Sequence, residues 1–296
     1  MRFLRFSPKE TNEELIGILS KDGKTVFELN FFELGKKYRS IQEIIEHFNE
    51  KELKEVRNLL EGDLDGRGKY ELKDIKILSP LKRTIHDIIC AGFNYEDHLK
   101  EIKKDSSNKV LNSVYFSKRA TKIMGLDDEI DGHFDLDEAL DYEVELAVVI
   151  GKEGTNIAPE NAEDYIFGYT IMNDVSARGI QGKHRQWYKG KSLDTFTVLG
   201  PVIVTKDELP LPLELDITSI LNGEVRQQSN TRLMIRNINE LISEISQGIT
   251  LEPGDIIATG TCSGVGVGFN PPKYMKSGDI IECKIEKIGN LRNRIK

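Results

Sequence analysis

Cysteine is scarce in this sequence: Cys90, Cys262 and Cys283 are the only three in 296 residues, and no two form a Cys-x-x-Cys pair. An odd, widely spaced set excludes a disulfide-stapled domain and a thiolate metal site. Reduced, mostly buried thiols in a cytoplasmic protein are the expectation. Long apolar runs are missing as well, since nothing approaches the roughly 18 residues of a spanning helix. The start, Met1-Arg-Phe-Leu-Arg-Phe-Ser-Pro8, has no continuous apolar segment of the kind a signal peptide carries. No membrane association is expected. Nor is there an excess of positive charge: Lys and Arg total 41 against 49 Asp and Glu, a formal net charge of −8 with both signs interspersed. That gives a nucleic acid or an anionic membrane no footing. Several catalytic signatures are absent too. No Gly-x-Ser-x-Gly elbow occurs, and Gly190-Lys191-Ser192 has Arg185 where a phosphate loop needs glycine. The glycines of Leu251 to Gly268 do not match dinucleotide-binding spacing.

What remains is an ordinary globular composition, long enough to bury a sizeable core in one large or two modest domains. Residues 1 to about 35 alternate short apolar stretches with turn signals and predict a small β-meander. Ser40-Ile-Gln-Glu43 is a capping-box pattern ahead of helical spacing. Gly62 to Gly68 breaks the pattern, and Ile75 to Pro80 reads as a strand and a stop. We place a small N-terminal α+β domain at 1–80 and a second domain at 81–296. Within the latter, Ile88 to Ala91, Pro201 to Thr205 and Leu211 to Leu221 read as strands, Asn222-Gly223 as a hairpin turn and Ile238 to Ile245 as a helix. Asp279 to Ile288 reads as the last strand.

The chain is organised around Asp141 to Arg178. Asp141-Tyr-Glu-Val-Glu-Leu-Ala-Val-Val-Ile150 reads as a strand, largely buried over Ala147 to Ile150, in which Glu143 and Glu145 project from one face and Tyr142, Val144 and Leu146 from the other. Two neighbouring carboxylates at the mouth of such a strand need a counter-charge, and a hard divalent cation supplies one. Asp174, at the end of the next apolar run, offers a third oxygen ligand, as a magnesium site requires. The same alternation also suits the wet face of an edge strand, with both carboxylates paired to surface lysines.

If the residues after Asn94 are helical, His98 and Glu101 stand at i and i+3 and can meet. A carboxylate on one imidazole nitrogen fixes the tautomer and makes the other a general base; a solvated helix carrying a chance pair is the other reading. Residues 95–112 include a polar stretch and suit a lid. Lys191, on a glycine-initiated turn, could bring a cation to a substrate oxyanion or be a plain surface lysine. Cys262 has no nearby histidine and reads as a buried thiol.

Five ordered stretches resemble the fumarylacetoacetate hydrolase family: Gly92-Phe-Asn-Tyr-Glu-Asp-His-Leu-Lys-Glu101, Asp141 to Gly151, Gly168 to Arg178, Gly190-Lys-Ser-Leu-Asp-Thr-Phe196 and Thr259 to Gly266. The resemblance implies a mainly β, α+β fold, a mixed β-sandwich roll, in a homodimer that binds Mg2+ or Mn2+. It implies Glu143, Glu145 and Asp174 as metal ligands, His98 and Glu101 as the catalytic pair with Lys191, and Arg178, Gln181 and Thr261 as substrate contacts. Animal members place a further carboxylate near the position of Asn94, so three carboxylates with waters are expected here. Cys262 stands where many relatives have proline, and Gly179 where they often have Asp. The implied activity is chemistry on a small 2-oxo acid through an enolate, with hydrolytic carbon–carbon cleavage of an acylpyruvate first. Oxaloacetate-type decarboxylation, isomerisation of a hydroxy-dienedioate and dehydration of a keto-deoxy sugar acid are alternatives on the same site. A non-catalytic small-molecule binding protein that kept the fold is the competing class.

Overall fold

All seven residues of the strand Val144–Ile150 are buried, and they divide by parity. Val144, Leu146, Val148 and Ile150 enter one apolar cluster, while Ala147 and Val149 enter another, as alternating Cβ directions demand. A strand buried on both faces needs a covering layer on each. The computed structural model, which describes residues 1–32, 34–61, 66, 68–102 and 113–296, supplies both. On one side the cluster takes in Ile217, Leu221, Ile281, Cys283, Ile285 and Leu291 of a second sheet. On the other it takes in Ile41, Ile44, Ile45 and Val56 from the helices Ile41–His47 and Glu50–Glu61.

Among the described residues the main sheet has 12 strands. Its path runs Lys69–Glu71, Thr25–Glu28, Leu15–Leu19, Arg2–Pro8, Thr197–Thr205, Ile166–Asp174, Val144–Ile150, Ile256–Thr261, Ile88–Gly92 and Val114–Lys118. Ile75–Leu78 and Ile123–Met124 pair from the side. The second sheet is ordered Glu224–Asn230, Asp216–Leu221, Ile280–Ile285, Gly289–Ile295 and Glu129–Ile130. Most pairings are antiparallel, but Ile256–Thr261 runs parallel to Ile88–Gly92. The fold is therefore the mainly β, α+β sandwich that the resemblance implies. Arg2–Pro8 pairs with Thr197–Thr205, so the main sheet is continuous across residue 80.

Local signals explain most elements. Ser40 caps the Ile41–His47 helix by accepting from Glu43 N at 3.0 Å, worth about 1 kcal/mol. Glu43 does not return the bond to Ser40 but accepts from Arg39 N. The fully reciprocal box is Asn237 with Glu240, ahead of Ile238–Ile245.

Two expected strands have other limits. The stretch from Leu211 becomes a strand only at Asp216, because Pro210 and Pro212 cannot donate to a ladder. Asp279 to Ile288 is not the last strand. The ladder stops at Ile285, Lys287 adopts φ 64°, and Gly289–Ile295 returns as a hairpin. The basic and polar residues on its outward face hide that strand from an apolar count.

Candidate active site

Glu143 and Glu145 stand at the entrance of an interior strand flanked by Ile166–Asp174 and Ile256–Thr261. They are only 5% and 2% exposed, so the wet edge strand is not what forms. In the antiparallel register Val144 lies opposite Asn173, and Asp174 N donates to Glu143 O at 2.9 Å. The end of one strand thus meets the beginning of the other. Oxygens of Glu143, Glu145 and Asp174 lie within 4.8 Å of one another, all three side chains being buried.

Three cations surround them, Lys118 and Lys191 buried and Arg178 mostly so. Lys191 Nζ donates to Glu143 Oε2 at 2.6 Å and Asp174 Oδ2 at 2.7 Å. Lys118 Nζ donates to Asp174 Oδ1 at 2.6 Å and Val175 O at 3.1 Å. Arg178 Nε donates to Asp141 Oδ2 at 2.9 Å, and its Nη2 lies 2.7 Å from Glu143 Oε1. Burial would raise the Glu143 carboxyl, but Lys191 and Arg178 outweigh it and hold it down at about 2. Glu145 differs. Its Oε2 accepts only from Gly260 N at 2.9 Å, and burial, then Asp174 and Glu143, push it well above the ordinary carboxylate range. Four buried carboxylates, counting Asp141, face three cations, and Glu145 is the one left without a counter-charge. Hard, buried, convergent oxygens with a net deficit of positive charge are the donor set a Mg2+ or Mn2+ ion takes.

Against this cluster lies a cavity of about 240 Å³. His98, Glu143, Glu145, Arg178, Gln181, Lys191 and Thr261 all line it, so the structure gathers every expected site residue except Glu101 and Asp174 on its wall. Asp174 sits behind Lys191, and Glu101 sits behind His98. The helix Glu96–Ile102 forms as expected and brings Glu101 Oε2 to 3.2 Å from His98 Nδ1, leaving Nε2 for the cavity. Residues 103–112 of the expected lid lie outside the described residues.

Arg178 Nη1 donates to Gln181 Oε1 at 3.0 Å, which turns the Gln181 amide nitrogen away from Arg178. The Thr261 hydroxyl donates to Val144 O and accepts from Gln227 Nε2, each at 2.8 Å. Cys262 is 2% exposed, and burial pushes its thiol up to about 12, in keeping with an inert side chain.

Sequence reasoning missed Lys118, Asp141 and an aromatic wall. Phe93 and Phe116 meet Trp187 edge-on, with ring centroids 5.3 and 5.1 Å away. For Lys118 a signal existed: in Val114–Lys118 it shares a strand face with Phe116, which lines the cavity. Asp141 accepts from Tyr142 N, Gly266 N, Val267 N and Arg178 Nε, a nonlocal set no spacing announces.

The sequence model described as fumarylacetoacetate (FAA) hydrolase C-terminal matches residues 87–296. Oxaloacetate tautomerase YisK of Bacillus subtilis is 41% identical over 293 residues, covering 96% of this chain and 97% of that protein. Among solved structures, a fumarylacetoacetate hydrolase from the psychrophile Exiguobacterium antarcticum superposes with TM-score 0.84 at 38% identity, covering 100% of this chain and 99% of that one. A 2-hydroxyhepta-2,4-diene-1,7-dioate isomerase from Mycobacterium marinum does so with TM-score 0.72 at 29% identity, covering 100% and 98%.

Proposed function

This chain belongs to the fumarylacetoacetate hydrolase family, whose members are enzymes, and from that premise we propose that it moves a proton on the carbon beside the keto group of a small 2-oxo acid. The reaction passes through an enol or enolate and depends on a divalent metal held by Glu143, Glu145 and Asp174. The observation that carries this reading is Glu145, a buried carboxylate among others with no cation of its own. The name of the Bacillus relative, an oxaloacetate tautomerase, supports the same enol chemistry.

When bound there, Mg2+ or Mn2+ supplies a Lewis acid for the 2-oxo and carboxylate oxygens of the substrate. His98 does the proton work. With Nδ1 committed to Glu101, its Nε2 takes the proton from the substrate carbon and returns one. Lys191 keeps an ammonium beside the developing negative charge, its proton secured against burial by Asp174 and Glu143. Arg178 and Gln181 bind and orient the acid, Thr261 shapes the wall, and Phe93, Phe116 and Trp187 keep water from the enolate.

Hydrolytic cleavage of an acylpyruvate is the second reading. The same His98–Glu101 pair favours it, since a base with one nitrogen committed can draw its proton from water instead. We assign catalysis to residues 81–296 and treat 1–80 as a small N-terminal domain, because every proposed site residue follows residue 90. A cytoplasmic homodimer is the proposed setting. The homodimer follows the family resemblance, and three free, buried cysteines suit a reducing compartment.

The test follows enol oxaloacetate by ultraviolet absorbance and acetylpyruvate cleavage by product, each with and without Mg2+ or Mn2+. Metal-dependent loss of the enol signal is expected. Neither signal responding to metal would overturn the reading.

A further inference from the structure

The turn Gly264 to Gly268 is held from two sides. Asp141 accepts from Gly266 N at 2.6 Å and Val267 N at 3.0 Å. Glu101 accepts from Gly264 N at 2.9 Å through Oε1, while its Oε2 faces His98 Nδ1 at 3.2 Å. Both oxygens of Glu101 are therefore assigned, one to the turn and one to the histidine. Gly268 lies directly under this carboxylate. A Cβ there would collide with Oε1, Cδ and Cγ of Glu101, which are its three nearest atoms.

The three glycines of the turn differ in why they are glycine. Gly264 has φ +101° and lies against the backbone of Arg226, so both conformation and space require it. Gly266 faces the Lys273 carbonyl and Asp141. Gly268 lies outside the left-handed region, and its three nearest atoms all belong to one flexible side chain. A methyl group at 268 thus costs no backbone strain, and the cheapest relief is to move Glu101.

We propose that this turn is a positioning element for the His98–Glu101 pair: Gly264 N–H anchors Glu101, and the missing side chain of Gly268 admits it. A carboxylate pinned through one oxygen keeps the other aimed at Nδ1, which holds the His98 tautomer and ring. Unpinned, Glu101 swings toward solvent and His98 loses its orientation. The inference rests on the reading that His98 moves the substrate proton, and its test separates the two.

Gly268→Ala, Glu101→Ala and the double variant are compared by the rate of metal-dependent enol–keto exchange and by Mn2+ affinity. Gly268→Ala is expected to lose about tenfold or more in rate, with Mn2+ affinity unchanged. In the Glu101→Ala background the same change should cost nothing further, because the colliding carboxylate is gone. Equal losses in both backgrounds, or none in the first, would overturn the proposal. A second measurement needs no turnover and no folded Gly268→Ala. Hydrogen exchange at Gly264 N–H is expected to be slow in the wild type and faster in Glu101→Ala, and an unchanged rate would overturn the anchoring. If the wild type shows no enol chemistry at all, the proposed function falls, and the exchange measurement alone decides this inference.

Discussion

Stripped of divalent ions by chelation and then titrated with Mn2+, the protein should release one proton for each ion it takes up. Burial, then Asp174 and Glu143, raise the Glu145 carboxyl well above its ordinary 4.5, while its one hydrogen bond from Gly260 N opposes this only partly. Four carboxylates against three cations leave one unmatched, and burial favours the protonated form of that one. A hard dication binds only the ionised form, so the proton must leave. The apparent affinity should then rise about tenfold, or ~1.4 kcal/mol, per pH unit between the ordinary carboxylate range and the raised value. A carboxyl whose folded pKa is raised favours the fold fully below its unfolded value and loses that contribution as pH rises through the folded one. The metal-free protein should weaken toward neutral pH, and the metal-loaded protein should not. Calorimetry in two buffers of different ionisation enthalpy counts the protons, with Glu145→Gln as the control that releases none. A heat independent of buffer, with an affinity that stays flat as pH rises above the ordinary carboxylate range, would refute the charge count.

Two replacements test the ligands and the base. Glu143→Ala should abolish both Mn2+ binding and turnover, and an active, metal-free variant would sink the site. His98→Asn should keep Mn2+ affinity but lose about 10² to 10⁴ of the proton-transfer rate; a change under about threefold would remove His98 from the chemistry. Lys118→Met tests the fold instead. Lys118 is completely buried on Asp174, so its loss should cost about 3–5 kcal/mol in urea unfolding without metal. A cost below about 1 kcal/mol, as for an exposed pair, would mean that the pair is not as dry as drawn.

What could be read from the chain follows one physical division. Period-two alternation is local, so Glu143 and Glu145 on one face and Tyr142, Val144 and Leu146 on the other were readable, and the two apolar clusters divide as that parity requires. Helical i, i+3 spacing is equally local and brought Glu101 to His98. Strand limits failed where proline or a polar outward face masked the pattern, as at Pro212 and in Gly289–Ile295. The partners of the buried charges were unreadable for a different reason. Lys118 reaches Asp174 across 56 positions, and Asp141 reaches Gly266 across 125; register between distant strands makes those contacts, and no window of sequence contains it. A buried acid nevertheless obliges the fold to provide something, because an unpaired charge in a dry interior costs several kcal/mol. The search for its partner can therefore be narrowed in advance to lysines and arginines in apolar strands, on the parity that faces the core. Lys118, ending Val-Tyr-Phe-Ser-Lys on the face of Phe116, meets that condition. Once such cations are counted against the acids, a shortfall marks a candidate place for an ion, and here it falls on Glu145.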